Sequence, residues 1–184
     1  GGKLLFLGRL TGWKGAPVLL EAVARLRTKR PELTLVIAGD GPARAAWEGD
    51  AARLGLADAC RFAGFVSDAP RLFHEADIMI HASTEPEPFG RVLIEGMACG
   101  TPVVASRLGA TGEIIEDGRS GALVPPARPD LLADTLHDLL AAGPRRVTMA
   151  QAARRRVEEQ FTVERMVDGV ARVLGLPGTG GAAA

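Results

Sequence analysis

The sequence predicts an α/β fold, a doubly wound, Rossmann-like parallel sheet of about six strands flanked by helices. Apolar runs of strand length alternate along the chain with segments whose apolar residues recur at helical spacing. The second apolar run, residues 33–38, is nearly continuous, which is typical of a strand buried on both faces of a sheet. Hydrophobic residues make up 47% of the 184-residue chain, enough for one core, so we expect one domain over residues 1–176.

The alternation places the predicted elements in order along the chain. Six segments have the length and apolar content of strands, the last being the weakest: 3–7, 33–38, 61–66, 78–82, 102–105 and 121–124. Helical spacing or helix-start signals predict helices at 16–28, 42–54, 70–75, 91–98, from Thr111, at 130–141 and at 163–174. We interpret the C-terminal third as scaffold, in which the helix at 163–174 has an apolar stripe that includes Met166 and Val170. Residues 177–184, rich in Gly and Ala, are expected to form a disordered tail.

Charge and cysteine content exclude several classes of function. The 22 basic and 22 acidic residues balance, which argues against a nucleic-acid-binding domain and against a polybasic membrane patch. Three arginines at 154–156 precede glutamates at 158–159 by four residues, so we expect a solvated helix face there. The only two cysteines, Cys60 and Cys99, show neither metal-ligand spacing nor a disulfide framework, which fits a reducing cytoplasm. No stretch is long and apolar enough to predict a transmembrane helix.

The residues with the clearest binding chemistry follow the predicted strands. In a doubly wound sheet, ligands bind outside the carboxyl ends of the strands, near the point where the strand order reverses. The residues of interest after strands one to five are 8–15, 39–42, 64–65, 83–90 and 107–112. Because the carboxyl ends of parallel strands share one edge of the sheet, we expect these five loops to form one rim.

The segment 83–106 organises that rim. Prolines and Gly90 exclude a helix before about residue 89, so the helix at 91–98 opens directly after the loop, and its first unpaired N–H groups attract phosphate. Glu87 precedes this helix and Glu95 lies about one and a half turns inside it. Carboxylates accept paired hydrogen bonds from neighbouring hydroxyls, so the layout suits a phosphate between two polyols, as in a sugar nucleotide. Taken singly, either glutamate is better explained as an ordinary charge near a helix end.

Glycine spacing excludes two other nucleotide-binding classes. A dinucleotide-binding G-x-G-x-x-G turn would follow the first strand, but Gly8, Gly12 and Gly15 have the wrong spacing. The G-x-G at 39–41 follows the second strand and has Arg44 at its sixth position. The P-loop sequence G-x4-G-K-[ST] is also missing from the chain, which argues against a P-loop ATPase.

Arg9 and Lys14 supply cations in the loop after the first strand. Cleavage of a glycosyl phosphate bond puts negative charge on the leaving diphosphate, and fixed cations in a dry cleft stabilise that charge. Arginine offers a fork of donors and lysine a point charge. The alternative is that both residues are ordinary surface cations.

Several segments resemble the retaining family 4 glycosyltransferases, which have the GT-B fold. The similar segments are 8–10 with 14–15, 39–42, 61–66, 87–90, 95–104 and 116–126. The runs EPFG at 87–90 and EGMACGTPVV at 95–104 resemble the E-x7-E region of that family, and the resemblance covers roughly residues 3–174. Arg91 and Ala110 depart from the family pattern.

The resemblance implies a donor site built from these loops. Arg9 and Lys14 would hold the leaving diphosphate, while Glu87 would contact the transferred sugar and Glu95 the ribose, which makes Arg9, Lys14 and Glu87 the implied catalytic residues. The implied donor-binding residues are Gly8, Arg9, Lys14, Gly64, Phe65, Glu87, Pro88, Phe89, Gly90 and Glu95. In this set, Gly64 and Phe65 lie beside the nucleotide base, and the amides of Phe89 and Gly90 face the distal phosphate. His74 and His81 match no catalytic position of the family, and we interpret both as structural or surface residues.

The implied function is transfer of a sugar from a UDP-, GDP- or ADP-sugar to an acceptor, with retention of anomeric configuration. The resemblance implies no cofactor and no obligatory metal. It also implies that this chain is the donor-binding half, that an N-terminal acceptor domain lies outside it, and that the isolated half is inactive. We expect a cytoplasmic location, compatible with peripheral association of the full enzyme with the inner face of the membrane. The alternatives are a nucleotide-sugar epimerase of the same fold and a non-catalytic nucleotide-sugar-binding module.

Overall fold

A computed structural model describes residues 2–177, which contain a six-stranded parallel sheet. The strands are β1 (Lys3–Leu7), β2 (Thr34–Ala38), β3 (Cys60–Gly64), β4 (Ile78–His81), β5 (Val103–Ser106) and β6 (Ala122–Val124). They lie in the order β3-β2-β1-β4-β5-β6, and every neighbouring pair is parallel. The doubly wound sheet is therefore confirmed, and its strand order reverses between β1 and β4.

Eight α-helices flank the sheet within the described residues. They are α1 (Ala16–Arg27), α2 (Arg44–Arg53), α3 (Ala69–Glu75), α4 (Arg91–Ala98), α5 (Thr111–Ile114), α6 (Pro129–Ala141), α7 (Gly143–Gln160) and α8 (Val163–Leu174). Their bounds agree closely with the sequence predictions, which had located no bounds for α7. None of these helices is long and apolar enough to cross a membrane.

Side chains on each strand alternate between two hydrophobic cores. Leu4 and Phe6 of β1 point into one core with residues of α1, α2 and α6. Leu5, between them, points into the other core with residues of α3, α4 and α7. This two-residue alternation with both sides apolar explains why the strand sequences are nearly continuous hydrophobic runs.

Close packing sets the position of α4 beneath the sheet. Gly96 faces β4, and a Cβ atom there would lie 3.0 Å from the sulfur of Met79 and 3.3 Å from the ring of Phe73. The helix starts after Gly90, which adopts a left-handed conformation with φ of 77°. The amino end of α4 is thereby held at the carboxyl edge of the sheet, beside the loop that follows β4.

One expectation about the C-terminal third was wrong, and a second holds only in part. The apolar stripe of α8 is exposed rather than packed as scaffold, with exposed fractions of 62% for Met166 and 86% for Val173. In the arginine cluster, Arg154 pairs with Glu158 at 2.8 Å as expected for a solvated face. Arg156 instead donates to the backbone carbonyls of residues 113 and 114, each at 2.7 Å, so it joins α7 to α5. The tail predicted from residue 177 onward lies outside the described residues except for its first position.

Candidate functional site

The loops after β1 and β4 meet where the strand order reverses. Gly15 has φ of 80°, and a Cβ atom there would lie only 1.9 Å from the carbonyl oxygen of Ala82, so the two backbones are in direct contact. Next to this contact, the carbonyl oxygen of Trp13 accepts hydrogen bonds from the backbone N–H of Thr84 at 2.8 Å and from its hydroxyl at 3.2 Å. This docking brings Lys14 to the end of β4.

Lys14, His81 and Glu87 form one buried group, which we call the carboxylate cluster. The ammonium of Lys14 contacts Oε1 of Glu87, and Nε2 of His81 lies 2.6 Å from Oε2 of the same carboxylate. The exposed side-chain fractions are 11% for Lys14, 3% for His81 and 9% for Glu87. A carboxylate so deeply buried requires a cation or strong donors, and here each oxygen has one.

Burial controls the charges in the carboxylate cluster. It lowers the pKa of Lys14 to about 8, while attraction to the carboxylate of Glu87 favours the charged ammonium. Burial, followed by repulsion from Lys14, lowers the pKa of His81 to about 4, so this imidazole is neutral at pH 7. An ionised carboxylate carries no proton, and Nε2 of His81 must therefore be the protonated nitrogen that donates to Glu87.

The loop after β5 supports Glu87 from the other side. Gly109 has φ of 54°, and a Cβ atom there would lie 2.6 Å from the carbonyl oxygen of Glu87 and 3.1 Å from its backbone nitrogen. The chain segment that carries Glu87 is thus held between Gly15 at one end and Gly109 at the other. These backbone contacts fix the Glu87 segment just ahead of the amino end of α4 without any contribution from a ligand.

A second part of the rim is a cavity of about 350 Å³ beyond β1, β2 and β3. Gly8 and Arg9 line it together with Asp40 and Phe65. The side chain of Phe65 is 84% exposed, and the carbonyl of Gly64 accepts a hydrogen bond from the N–H of residue 39 at 2.7 Å. An exposed aromatic ring beside a cation provides a surface on which a planar heterocycle can stack.

Glu95 lies in a third place, a groove between α4 and α8 that also includes Phe89 and Met166. Its Oε1 is 3.4 Å from the guanidinium of Arg91, and its side chain is 43% exposed. Seven of the ten predicted residues therefore fall into three groups, and Gly64 ends β3 directly before Phe65. Lys14 and Glu87 are in contact, Gly8, Arg9 and Phe65 share the cavity, and Phe89 and Glu95 share the groove, while Pro88 is exposed on the loop and Gly90 caps α4.

The contact between His81 and Glu87 is the feature of the site that sequence reasoning missed. The interpretation as a structural or surface residue fits the burial of His81 in β4 and the exposure of His74 on α3, but it predicted no contact with Glu87. The signal for this contact in the sequence is positional, because His81 is the one polar residue of the strand IMIH and stands last in it, at the carboxyl edge. Within residues 2–177 no group of three or more His, Cys, Asp or Glu side chains is arranged to hold a metal ion.

Comparison with known proteins gives concordant matches. The family model described as glycosyl transferases group 1 matches residues 2–156. The D-inositol 3-phosphate glycosyltransferase of Salinispora arenicola is 38% identical over 182 residues, which are 92% of this chain and 40% of that protein. The chain thus spans less than half the length of this relative.

Solved structures match over nearly the whole chain. HepE of Anabaena, crystallised with UDP-glucose, superposes with a TM-score of 0.88 and 32% identity over 95% of this chain and 49% of that one. The C-terminal domain of the group 1 family protein LpcC of Francisella tularensis superposes with a TM-score of 0.79 and 29% identity, over 88% of this chain and 87% of that one.

Proposed function

Because the chain belongs to the group 1 glycosyl transferases, we propose that it is the donor-binding half of a retaining enzyme of that family. The carboxylate cluster carries this proposal, since it brings a cation and a carboxylate together at the switch point of a doubly wound sheet. The relation to HepE, which binds UDP-glucose, and to the C-terminal domain of LpcC supports the assignment. The acceptor would be bound by a part of the enzyme that this chain does not contain.

Lys14 and Arg9 would bind the diphosphate of the donor. When the bond between sugar and phosphate breaks, negative charge grows on the leaving diphosphate, and an ammonium in a water-poor cleft stabilises that charge. Lys14 is suited to this because its amino group is nearly buried and remains cationic at pH 7. The exposed guanidinium of Arg9 stands at the neighbouring cavity and would reach the same diphosphate from the side of the nucleoside.

Glu87 would hold the transferred sugar. Each carboxylate oxygen has a second lone pair beyond the one used by Lys14 or His81, and sugar hydroxyls can donate to these. The backbone amides of Phe89 and Gly90 precede α4, whose amino end attracts the distal phosphate. Sugar and phosphate would thus meet at one point, next to the amino end of the helix.

The cavity beyond β1, β2 and β3 would take the nucleoside. Its volume of about 350 Å³ and the exposed ring of Phe65 suit a base, and Gly8, which lines the cavity, allows the ligand to approach the backbone closely. Glu95, which lies on α4, would accept hydrogen bonds from the ribose hydroxyls. In this arrangement the positive charge that stabilises the leaving group is supplied by side chains, so the reaction would need no metal ion.

Titration calorimetry of the chain with UDP, GDP, ADP and their sugar conjugates tests the proposal. We expect one nucleotide to bind preferentially and Lys14→Ala to weaken its binding by about tenfold or more, the scale for a lost charged hydrogen bond. Lys29→Ala is the matched control, because Lys29 is exposed just after the carboxyl end of α1. This variant should bind nucleotides as the unaltered chain does. If none of the nucleotides binds at millimolar concentration, the donor-site assignment is wrong.

A further inference from the structure

The roles proposed above leave His81 without a function, although it is the most deeply buried member of the carboxylate cluster. A buried imidazole needs polar partners to offset its lost hydration. The side-chain partners of its Nε2 are the carboxylate of Glu87 at 2.6 Å and, at the limit of hydrogen bonding, the hydroxyl of Ser83 at 3.5 Å. Its Nδ1 is buried and has no hydrogen-bond partner in residues 2–177. The ring is therefore directed at Glu87.

We propose that His81 is a positioning residue that holds the carboxylate of Glu87 in place for the sugar of the donor when the donor diphosphate draws Lys14 away. This inference rests on the proposed function, because it assigns a sugar to Glu87 and a diphosphate to Lys14. It adds a residue for which the family resemblance predicted no role in binding or catalysis.

The two neighbours of Glu87 differ in how firmly they are held. Lys14 reaches Oε1 of Glu87 through a flexible side chain. Its ammonium also lies 4.4 Å from the ring centre of Trp13, so a cation–π interaction is available to it next to the carboxylate. His81 belongs to β4, where it pairs with Ala105 of β5, and its ring has only two side-chain torsions. A diphosphate that competes for Lys14 would leave His81 as the remaining donor to the carboxylate.

The neutral state of His81 suits this role. A second cation beside Glu87 would cancel the charge that attracts the hydroxyl protons of the sugar, whereas a neutral N–H group orients the carboxylate and leaves its charge in place. Burial is the main cause that lowers the pKa of His81 and keeps its ring neutral, and repulsion from Lys14 adds to it while the two cations would share one carboxylate. The ion pair and the neutral hydrogen bond are thus compatible in one small group.

The test compares a nucleotide with its sugar conjugate in three variants. UDP and UDP-glucose, with GDP and GDP-mannose in parallel, are titrated into the unaltered chain, His81→Phe, His81→Gln and His74→Phe. Since Glu87 would bind the sugar, we expect His81→Phe to weaken binding of the nucleotide sugar about tenfold, which is the scale for a misplaced charged hydrogen bond. Binding of the nucleotide without its sugar should change less than about twofold. Glutamine can donate at a similar reach and should restore part of the loss. His74→Phe, on the exposed face of α3, should match the unaltered chain.

A second measurement needs no variant and reports on the bond itself. Long-range proton–nitrogen correlation spectra of the histidine-labelled chain distinguish the two neutral tautomers and the cation. We expect His81 to carry its proton on Nε2 at pH 7, both alone and when saturated with the nucleotide sugar. A cationic ring, or a proton on Nδ1, would overturn the proposal.

The outcomes separate this inference from the function on which it rests. If the unaltered chain binds no nucleotide, the donor-site assignment and the role of His81 both fail. If it binds nucleotides but His81→Phe weakens UDP and UDP-glucose equally, or neither of them, the donor site stands and the role of His81 is refuted. Should His81→Phe not fold, His81→Gln and the tautomer measurement decide.

Discussion

Gly15→Ala should reveal how tightly the loops after β1 and β4 are docked. The change places a Cβ atom 1.9 Å from the carbonyl oxygen of Ala82, in a residue whose φ is 80°. A left-handed backbone alone costs a non-glycine residue roughly 1–2 kcal/mol. The clash adds to this, because the loops must separate and strain the two hydrogen bonds to Trp13, each worth about 1 kcal/mol. The free energy of unfolding should therefore fall by about 3–4 kcal/mol in total.

Two other glycines of this chain provide matched controls. Gly55 has φ of 68° with nothing within 4 Å of its missing Cβ, so Gly55→Ala measures the backbone cost alone. Gly12 also has open space and no left-handed φ, so Gly12→Ala should have little effect. Urea unfolding followed by circular dichroism compares the three. If Gly15→Ala is no more destabilising than Gly55→Ala, within about 0.5 kcal/mol, the direct contact that positions Lys14 is refuted.

Two further outcomes follow from the same contacts. Folding lowers the pKa of His81 from 6.5 to about 4, so the neutral ring contributes stability that is present above pH 6.5 and is lost as the pH falls toward 4. The urea midpoints measured at pH 7 and pH 5 should therefore differ less in His81→Gln than in the unaltered chain. Equal differences would contradict the assignment of a neutral ring. Arg156→Ala should lower the free energy of unfolding by about 1–3 kcal/mol, since the arginine donates to two carbonyls of α5. Arg154→Ala, which loses only an exposed ion pair within α7, should lower it by less than about 0.5 kcal/mol. Similar losses in both variants would contradict the role of Arg156 in joining α7 to α5.

The fold could be predicted because its signals are local. Strand and helix patterns are written in segments of five to a dozen residues, and the nearly continuous apolar run at 33–38 already indicates a sheet covered on both faces. The predicted bounds of α8 agree with the structure, yet the exposure of Met166 and Val173 was missed. Periodicity shows that a helix has an apolar face, but it cannot show whether the chain also supplies a surface for that face.

The site was predicted as a set of residues rather than as an arrangement. The sequence indicated Lys14 and Glu87 separately, but their contact depends on the docking of Gly15 against Ala82, which no short motif encodes. The E-x7-E pattern contains both Glu87 and Glu95 in one short motif. In the structure, Glu87 lies in the carboxylate cluster and Glu95 in the groove beside α8.

The glycines that hold the Glu87 segment affect how natural and laboratory variation in such a site should be interpreted. Gly15 and Gly109 carry no side chain that could meet a ligand, but each abuts the backbone of residues 82 or 87 too closely to accept even a methyl group. A mutational scan of this chain scored only by ligand binding would rank both positions among the sensitive ones. Their sensitivity to substitution would then resemble that of residues whose side chains bind the ligand, although its cause is the narrow gap between two segments of main chain.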